Sequence, residues 1–261
     1  MLSRLLQAFK RRPDAPRAST DGRTIYAVGD IHGRLDILDP LLAQIRADVA
    51  AEPPKDKPVL VFVGDYVDRG AASRGVVDRV IELQAGDEFE VRALKGNHEE
   101  AILAFLDDPN FGPTWSEHGG AQTLTSYGVT APMLRMAAED WAKARDDLAE
   151  VLPKAHYDFL RRLELVAVYG DYLFVHAGLR PGVPIEDQEE HDLLWIRQDF
   201  LATQRPFEKV VVHGHTPEEE AFLGQVRIGI DTGAYATGLL TAVRLRDADR
   251  RLIQARARRP G

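Results

Sequence analysis

Apolar positions along this chain fall into two alternating kinds of segment. Short β-branched runs recur: "TIYAV" (24–28), "VLVFV" (59–63), "EFEVRAL" (88–94), "LVAVYG" and "YLFVHA" between 165 and 177, "KVVVHG" (209–214), "VRIGI" (226–230) and "LLTAVRL" (239–245). Their length and residue types predict strands. Between them, apolar residues repeat every three to four positions over 35–50, 73–85, 98–107 and 138–163, which predicts helices. Strands alternating with helices argue for α/β layering rather than an all-β or all-α chain. Residues 108–137, rich in Pro, Gly and Thr, read as an irregular insertion over one face, and "EPPKDKP" (52–58) as a loop inside one domain. No internal repeat or low-complexity tract interrupts the pattern.

Composition narrows the picture. With 261 residues, 44% of them hydrophobic and 28% charged, the chain can build one sizeable core. The expected organisation is a basic leader over 1–20, a single domain over 21–247 and a basic tail over 248–261. No apolar run reaches the about 18 residues that a membrane span requires, and "MLSRLLQAFKRR" is broken by Arg4 with no small-residue cleavage site after it. The expected location is therefore cytoplasmic. Leu2, Leu5, Leu6 and Phe9, interleaved with Arg4 and Lys10, could rest on an anionic membrane surface; a frayed, disordered terminus is the simpler expectation. The net charge of −8 is uneven, since 1–20 and 246–261 each net +4 and leave −16 on the body. An acidic body argues against binding nucleic acid through its phosphates. The absence of cysteine removes disulfides and thiolate-held metals, leaving oxygen and imidazole donors for any ion.

Those donors sit in telling places. The first strand ends in "GDIHG" (29–33), the second in "GDYVDRG" (64–70), the third in "GNHE" (96–99), and later strands in "HAG" (176–178) and "HGHT" (213–216). Residues just past the carboxyl ends of strands in an α/β sheet meet in one crevice. Asp30 and His32 can then face one cation, Asp65 can bridge two, Asn97 offers an amide oxygen, and His176 and His215 offer imidazoles. A pair of divalent ions in such a cage acidifies water and clamps the oxygens of an in-line displacement, so the implied reaction is phosphoester hydrolysis. Donors without sulfur suit Mn, Fe or Zn better than copper, and Mn2+ is the leading expectation. Any one segment alone is unremarkable, because Asp-x-His is commonly an Asx-turn with a surface His. Five in order, each glycine-flanked and each after a strand, would have to be explained separately.

On these motifs the chain resembles the calcineurin-like metallophosphoesterases, and within them the bacterial relatives of the serine/threonine phosphoprotein phosphatases, over about 24–245. The resemblance implies a four-layer α/β fold, a central β-sandwich flanked by helices, with a binuclear metal site at the carboxyl ends of the strands. It implies that Asp30, His32 and Asp65 hold the first metal and that Asp65, Asn97, His176 and His215 hold the second. His98 would be the general acid for the leaving oxygen, with Asp68 on its other ring nitrogen; the plain alternative for Asp68 is an ion pair with Arg69. Proton donation of this kind is typically worth about 10² to 10⁴ in rate. Arg69 resembles the family's phosphate-clamping arginine. The second clamp is expected at Arg197 in "LLWIRQDF", with Arg180 in "HAGLRPG" as its rival, and Tyr235 stands where relatives place a tyrosine that touches phosphate. One departure matters: many metallophosphoesterases carry Gly-His-x-His, whereas "GHTP" puts Pro217 in the last position, so water would complete the first metal's shell. His213 is expected to pack behind the site, and His118, His156 and His191 to be solvent-exposed or satisfied side chains.

The expected partner is a phosphorylated protein or a small phosphoester, and the leading expectation is a phosphoserine/phosphothreonine phosphatase of possible dual specificity. A dinucleoside polyphosphate hydrolase of the diadenosine tetraphosphate type is the alternative; such relatives tend to lack the acid at Asp68 and the Glu at Glu99. A cyclic-nucleotide phosphodiesterase or nuclease is disfavoured by Pro217 and the acidic body, and a non-catalytic scaffold by the full set of donors. The pattern leaves the oligomeric state open.

Overall fold

The computed structural model describes residues 18–257, so 1–17 of the expected leader and the last four residues lie outside it. The chain runs through β1 (Thr24–Val28), α1 (Leu35–Ala51), β2 (Val59–Phe62), α2 (Ser73–Ala85), β3 (Glu90–Ala93) and α3 (Asn97–Asp107). These bounds follow the changes in apolar period closely, because each strand alternates faces while each helix buries one stripe. From Pro109 to Ser126 come a 3-10 turn, α4 (Gly112–Trp115), a π turn (Ser116–Gly120) and α5 (Ala121–Ser126). Most of the segment expected to be irregular is therefore helical. Its prolines disguised this: Pro109 and Pro113 occupy first turns, where the missing N–H would have had no partner. The period over 138–163 belongs to two helices, α6 (Ala138–Val151) and α7 (Lys154–Arg162), separated at Pro153.

The second half supplies β4 (Val166–Tyr169), β5 (Tyr172–Val175), α8 (Glu190–Trp195), α9 (Gln198–Leu201), β6 (Val210–His213), β7 (Phe222–Leu223), β8 (Arg227–Gly229), α10 (Ala234–Thr237), β9 (Leu239–Arg246) and β10 (Asp249–Arg256). β10 corrects the expected basic tail, since residues 249–256 pair antiparallel with β9 in continuous register. Only Ile253 and Ala255 of this strand are buried, too few apolar positions among arginines to announce a strand. Its Arg251 reaches Asp48 of α1 at 3.0 Å.

Two five-stranded sheets result, in the orders β10-β9-β1-β2-β3 and β4-β5-β6-β8-β7. Period-two alternation sorts the strand side chains. Ile25, Ala27, Val59 and Val61 meet Phe174, Val212 and Ile228 between the sheets. Tyr26, Val28, Leu60 and Phe62 point the other way, against Ile37, Leu41, Val76 and Val80 of α1 and α2. On the outer face of the second sheet, Leu173, Val175 and Val211 pack on Leu193 and Phe200 of α8 and α9. The layers are helix, sheet, sheet, helix, as expected. β1, β2 and β3 run parallel, as do β5, β6 and β8, so several strand-end loops leave each sheet at its carboxyl edge. Among the described residues, no helix is long and apolar enough to cross a membrane.

Candidate functional site

The loops after β1, β2, β3, β5 and β6 converge, and their backbone is unusual. Of the seven non-glycine residues with positive φ among those described, five lie here: His32 (47°), Asp65 (53°), Asp68 (72°), Arg69 (66°) and His215 (65°). A side chain in this region costs about 1 kcal/mol or more and persists only where its surroundings over-determine it. The surroundings do so. Ile31 and His32 donate their N–H groups to Asp65 O at 3.0 and 2.8 Å, which ties the first loop to the second. Glu99 accepts from the N–H groups of Asp65 (2.9 Å), Tyr66 (2.8 Å) and Gly96 (2.9 Å), which staples the second loop to the start of α3. Close approach also demands two glycines: a Cβ on Gly96 would collide with Asp65 Oδ1, and one on Gly214 with Asp30 Oδ1.

Inside this frame, acceptors face acceptors. His176 donates Nδ1–H to Val63 O at 2.9 Å, which leaves Nε2 as a lone pair; that atom lies 2.9 Å from Asn97 Oδ1 and 3.4 Å from Asp65 Oδ1. His32 donates Nδ1–H to Val67 O at 2.9 Å, and its Nε2 lies 3.4 Å from Asp65 Oδ2. His215 Nδ1 is 2.9 Å from the same Asn97 oxygen. Burial brings His32 down to about 3 and His215 to about 2, and lowers His176 as well, so these rings are uncharged at neutral pH. The His176 lone pair and the Asn97 and Asp65 oxygens, held this close, repel one another unless a cation lies among them. A ring nitrogen tied to a backbone carbonyl is also the usual outer support of a metal-holding histidine.

Two groups could hold an ion, His32 with Asp65 and His98, and Asp65 with His176 and His215; the ligand atoms of each lie within 4.8 Å of one another, and Asp65 is common to both. Asp30 is in neither group. One of its oxygens accepts from His215 N–H at 2.9 Å and the other is buried without a partner. Burial, with the nearby Asp231 and Asp65 carboxylates, pushes Asp30 well above the usual carboxylate range. Such an oxygen calls for a proton or a metal. The donor set therefore fits divalent cations on its own chemistry.

Beside the cluster, His98 donates Nδ1–H to Asp68 Oδ2 at 2.6 Å. Asp68 also accepts from Trp115 Nε1 (2.9 Å) and Thr123 Oγ1 (2.6 Å), so it is engaged away from Arg69. Burial alone would lower His98, but the Asp65 and Asp68 carboxylates outweigh it and raise its pKa. Arg69 instead donates to both ring nitrogens that face the site, His32 Nε2 at 2.8 Å and His98 Nε2 at 3.0 Å. Its guanidinium lies 4.4 Å above the ring of Tyr235, which is 39% exposed and so stands at the mouth rather than in the core.

A cavity of about 530 Å3 opens from Arg69, Asn97, His98 and Arg197. The two candidate clamps separate here. Arg197 lines the cavity, whereas Arg180 is held by both oxygens of Asp192, each at 2.5 Å, and does not reach it. The opposite walls carry residues that sequence reasoning passed over: Phe111, Trp115, His118, His191 and Trp195. Trp195 donates Nε1–H to Glu100 at 2.7 Å and stacks on His191, with ring centroids 6.4 Å apart and 21° between planes. His118 and His191, expected to have no part, both line this space. His156 is a satisfied core side chain between Asp78 (2.7 Å) and Tyr127 (2.9 Å), and His213 packs edge-on against Phe200. Asp231 was also missed; it is buried in "IDTG" and burial lifts it to about 6.

Comparison with known proteins agrees with the geometry. Residues 23–237 match the family model for calcineurin-like phosphoesterases. A symmetrical bis(5'-nucleosyl)-tetraphosphatase of Acidovorax ebreus (strain TPSY) is 35% identical over 159 residues, 60% of this chain and 44% of that protein, so the chain spans less than half of that relative. The asymmetrical bis(5'-nucleosyl)-tetraphosphatase PrpE of Anoxybacillus flavithermus (strain DSM 21510 / WK1) is 27% identical over 241 residues, covering 83% and 88% of the two chains. Among solved structures, one provisionally named a diadenosine tetraphosphatase superposes with a TM-score of 0.63 at 20% identity, covering 90% of this chain and 95% of the other. A cold-active protein-tyrosine phosphatase of a psychrophile, Shewanella sp., gives 0.55 at 17% identity, covering 92% and 83%. At these identities both structures speak for the fold alone.

Proposed function

Since the chain belongs to the calcineurin-like phosphoesterase family, we propose that it hydrolyses phosphoanhydride bonds in a dinucleoside tetraphosphate. The observation that carries this is the cavity, which begins beside the donor cluster, has Phe111, Trp115 and Trp195 in its walls and offers far more room than a phosphoryl group needs. The names borne by relatives of similar sequence point the same way and favour this substrate over the phosphoprotein expected from the motifs. Glu99, counted there in favour of a phosphoprotein, bonds only backbone N–H groups and so cannot distinguish substrates.

In this proposal Asp30, His32 and Asp65 would hold one divalent cation and Asp65, Asn97, His176 and His215 a second, a set of oxygen and imidazole donors open to Mn2+, Fe or Zn. Bound there, the cations supply acidified water and charge neutralisation at the phosphoryl oxygens. The chain's own side chains do the rest. Arg69 and Arg197 grip phosphoryl oxygens, a task suited to planar guanidinium forks. As Arg69 turns to the substrate it releases His98 Nε2, which can then carry a proton toward the leaving oxygen while Asp68 keeps the ring oriented. Tyr235 supports Arg69 from beneath.

One observation favours a second reading. The His98–Asp68 pair serves an alkoxide leaving group far more than a nucleotide, whose phosphate leaves without much help, and so suits a phosphomonoester such as phosphoserine. The test is a comparison of kcat/KM on diadenosine tetraphosphate, a phosphoserine peptide and a phosphotyrosine peptide, after chelation and reloading with Mn2+. The tetraphosphate should be preferred; preference for either peptide would install the phosphatase instead.

A further inference from the structure

We propose that Trp195, fixed by Glu100, is the platform on which a nucleobase of the substrate stacks, and that this ring sets selectivity for nucleotides over other phosphate compounds; the proposal rests on the tetraphosphatase function above. Trp195 is 37% exposed, whereas the two other tryptophans, Trp115 and Trp141, are 1% exposed. An indole left this far out of the core gives up burial that a folding role would use. Yet it is not loose. Its Nε1–H is taken by Glu100 on α3, and His191 backs it in a near-parallel stack. A ring fixed by its edge and supported from its own helix keeps aromatic surface for a ligand at little cost in ordering.

Position matters as much as exposure. The Trp195 ring meets His215, one of the donors, edge-on at 6.2 Å between centroids. A base on this platform would therefore have its phosphates beside the cluster. Phe111 and His118, from the helical segment after α3, line the same cavity. Stacking on an aromatic side chain tolerates any base, and its loss is worth about 1–3 kcal/mol per base. A platform with no base-edge contact thus gives selectivity for nucleotides without strong choice among them.

Two measurements on the Mn2+-loaded full chain test this. Because Trp195 is the exposed indole, adenosine, which carries no phosphate, should quench intrinsic fluorescence saturably, and Trp195→Phe should abolish that quench. In kinetics, Trp195→Ala should raise the ratio of KM for diadenosine tetraphosphate to KM for inorganic tetrapolyphosphate about ten-fold, and Trp195→Phe should restore most of it. A quench that survives Trp195→Phe, or a KM ratio that does not move in Trp195→Ala, would overturn the platform. The underlying function fails separately: wild-type preference for phosphopeptides would remove it, and an adenosine quench lost in Trp195→Phe would still support the platform.

Discussion

In the donor cluster the six side chains Asp30, His32, Asp65, Asn97, His176 and His215 are each at most 6% exposed, on loops where five residues hold left-handed backbone. In the cavity wall beside it, Trp195 is 37% exposed on a six-residue helix that holds no such residue. The cluster's polar atoms cannot exchange one another for water, so moving any of them leaves others unpaired in the interior, where each costs about 1–3 kcal/mol. A ring as exposed as Trp195 costs the fold little to replace. On the function proposed above, chemistry would be built where the fold allows no alternative, and selectivity where it allows several.

The sharpest way to break this contrast is Asp65→Asn, which keeps the shape and removes the one charge shared by both donor groups. Metal content should fall at both positions, and turnover by about 10³-fold or more, as expected where cations supply several kcal/mol. Elemental analysis of the purified variant is the check; an unchanged metal content would mean that Asp65 does not join the two groups. His98→Ala comes next. It should keep its metal and lose about 10² to 10⁴ in kcat on an alkyl phosphomonoester, with a smaller loss on the tetraphosphate. Equal losses on both would remove His98 from protonating the leaving oxygen.

Glu99→Ala probes the frame and not the chemistry. It leaves the N–H groups of Asp65, Tyr66 and Gly96 without their acceptor, which should cost about 3 kcal/mol of stability. Urea denaturation of the metal-free chain would read this directly, and a change within experimental error would mean that the left-handed loops stand without the staple.

The same contrast explains what could be read before the structure. "GDIHG", "GDYVDRG" and "GNHE" declared themselves because each sets acids or imidazoles beside glycine at the end of a strand-like run. Close approach was half legible too, in Gly96 and in Gly214 of "HGHT", which make room for carboxylates that no Cβ would admit. The wall gave no such signal. α4, α5 and α8 span four to six residues, too short for a 3.6-residue period to emerge, and Trp195 in "LLWIR" looks like any core aromatic. β10 was hidden for a related reason, its two buried residues lying among arginines whose partners, such as Asp48, are some 200 positions away in sequence.

The smallest expected effect on activity concerns the two arginines that sequence alone left as rivals. Arg197 lines the cavity and Arg180 does not, so Arg197→Ala should lower kcat/KM by about 10- to 100-fold, the worth of a charge-assisted hydrogen bond to phosphate. Arg180→Ala should leave kcat/KM within about two-fold, since removing a charge this exposed alters the field at the site little. It should nevertheless lower stability, because Asp192 has a side chain 6% exposed and would lose the guanidinium that pairs with both of its oxygens. Half of Arg180 is in solvent, so the loss should be modest. Measuring both quantities on both variants separates a residue that touches substrate from one that braces the wall; a large activity loss in Arg180→Ala with stability intact would exchange their roles.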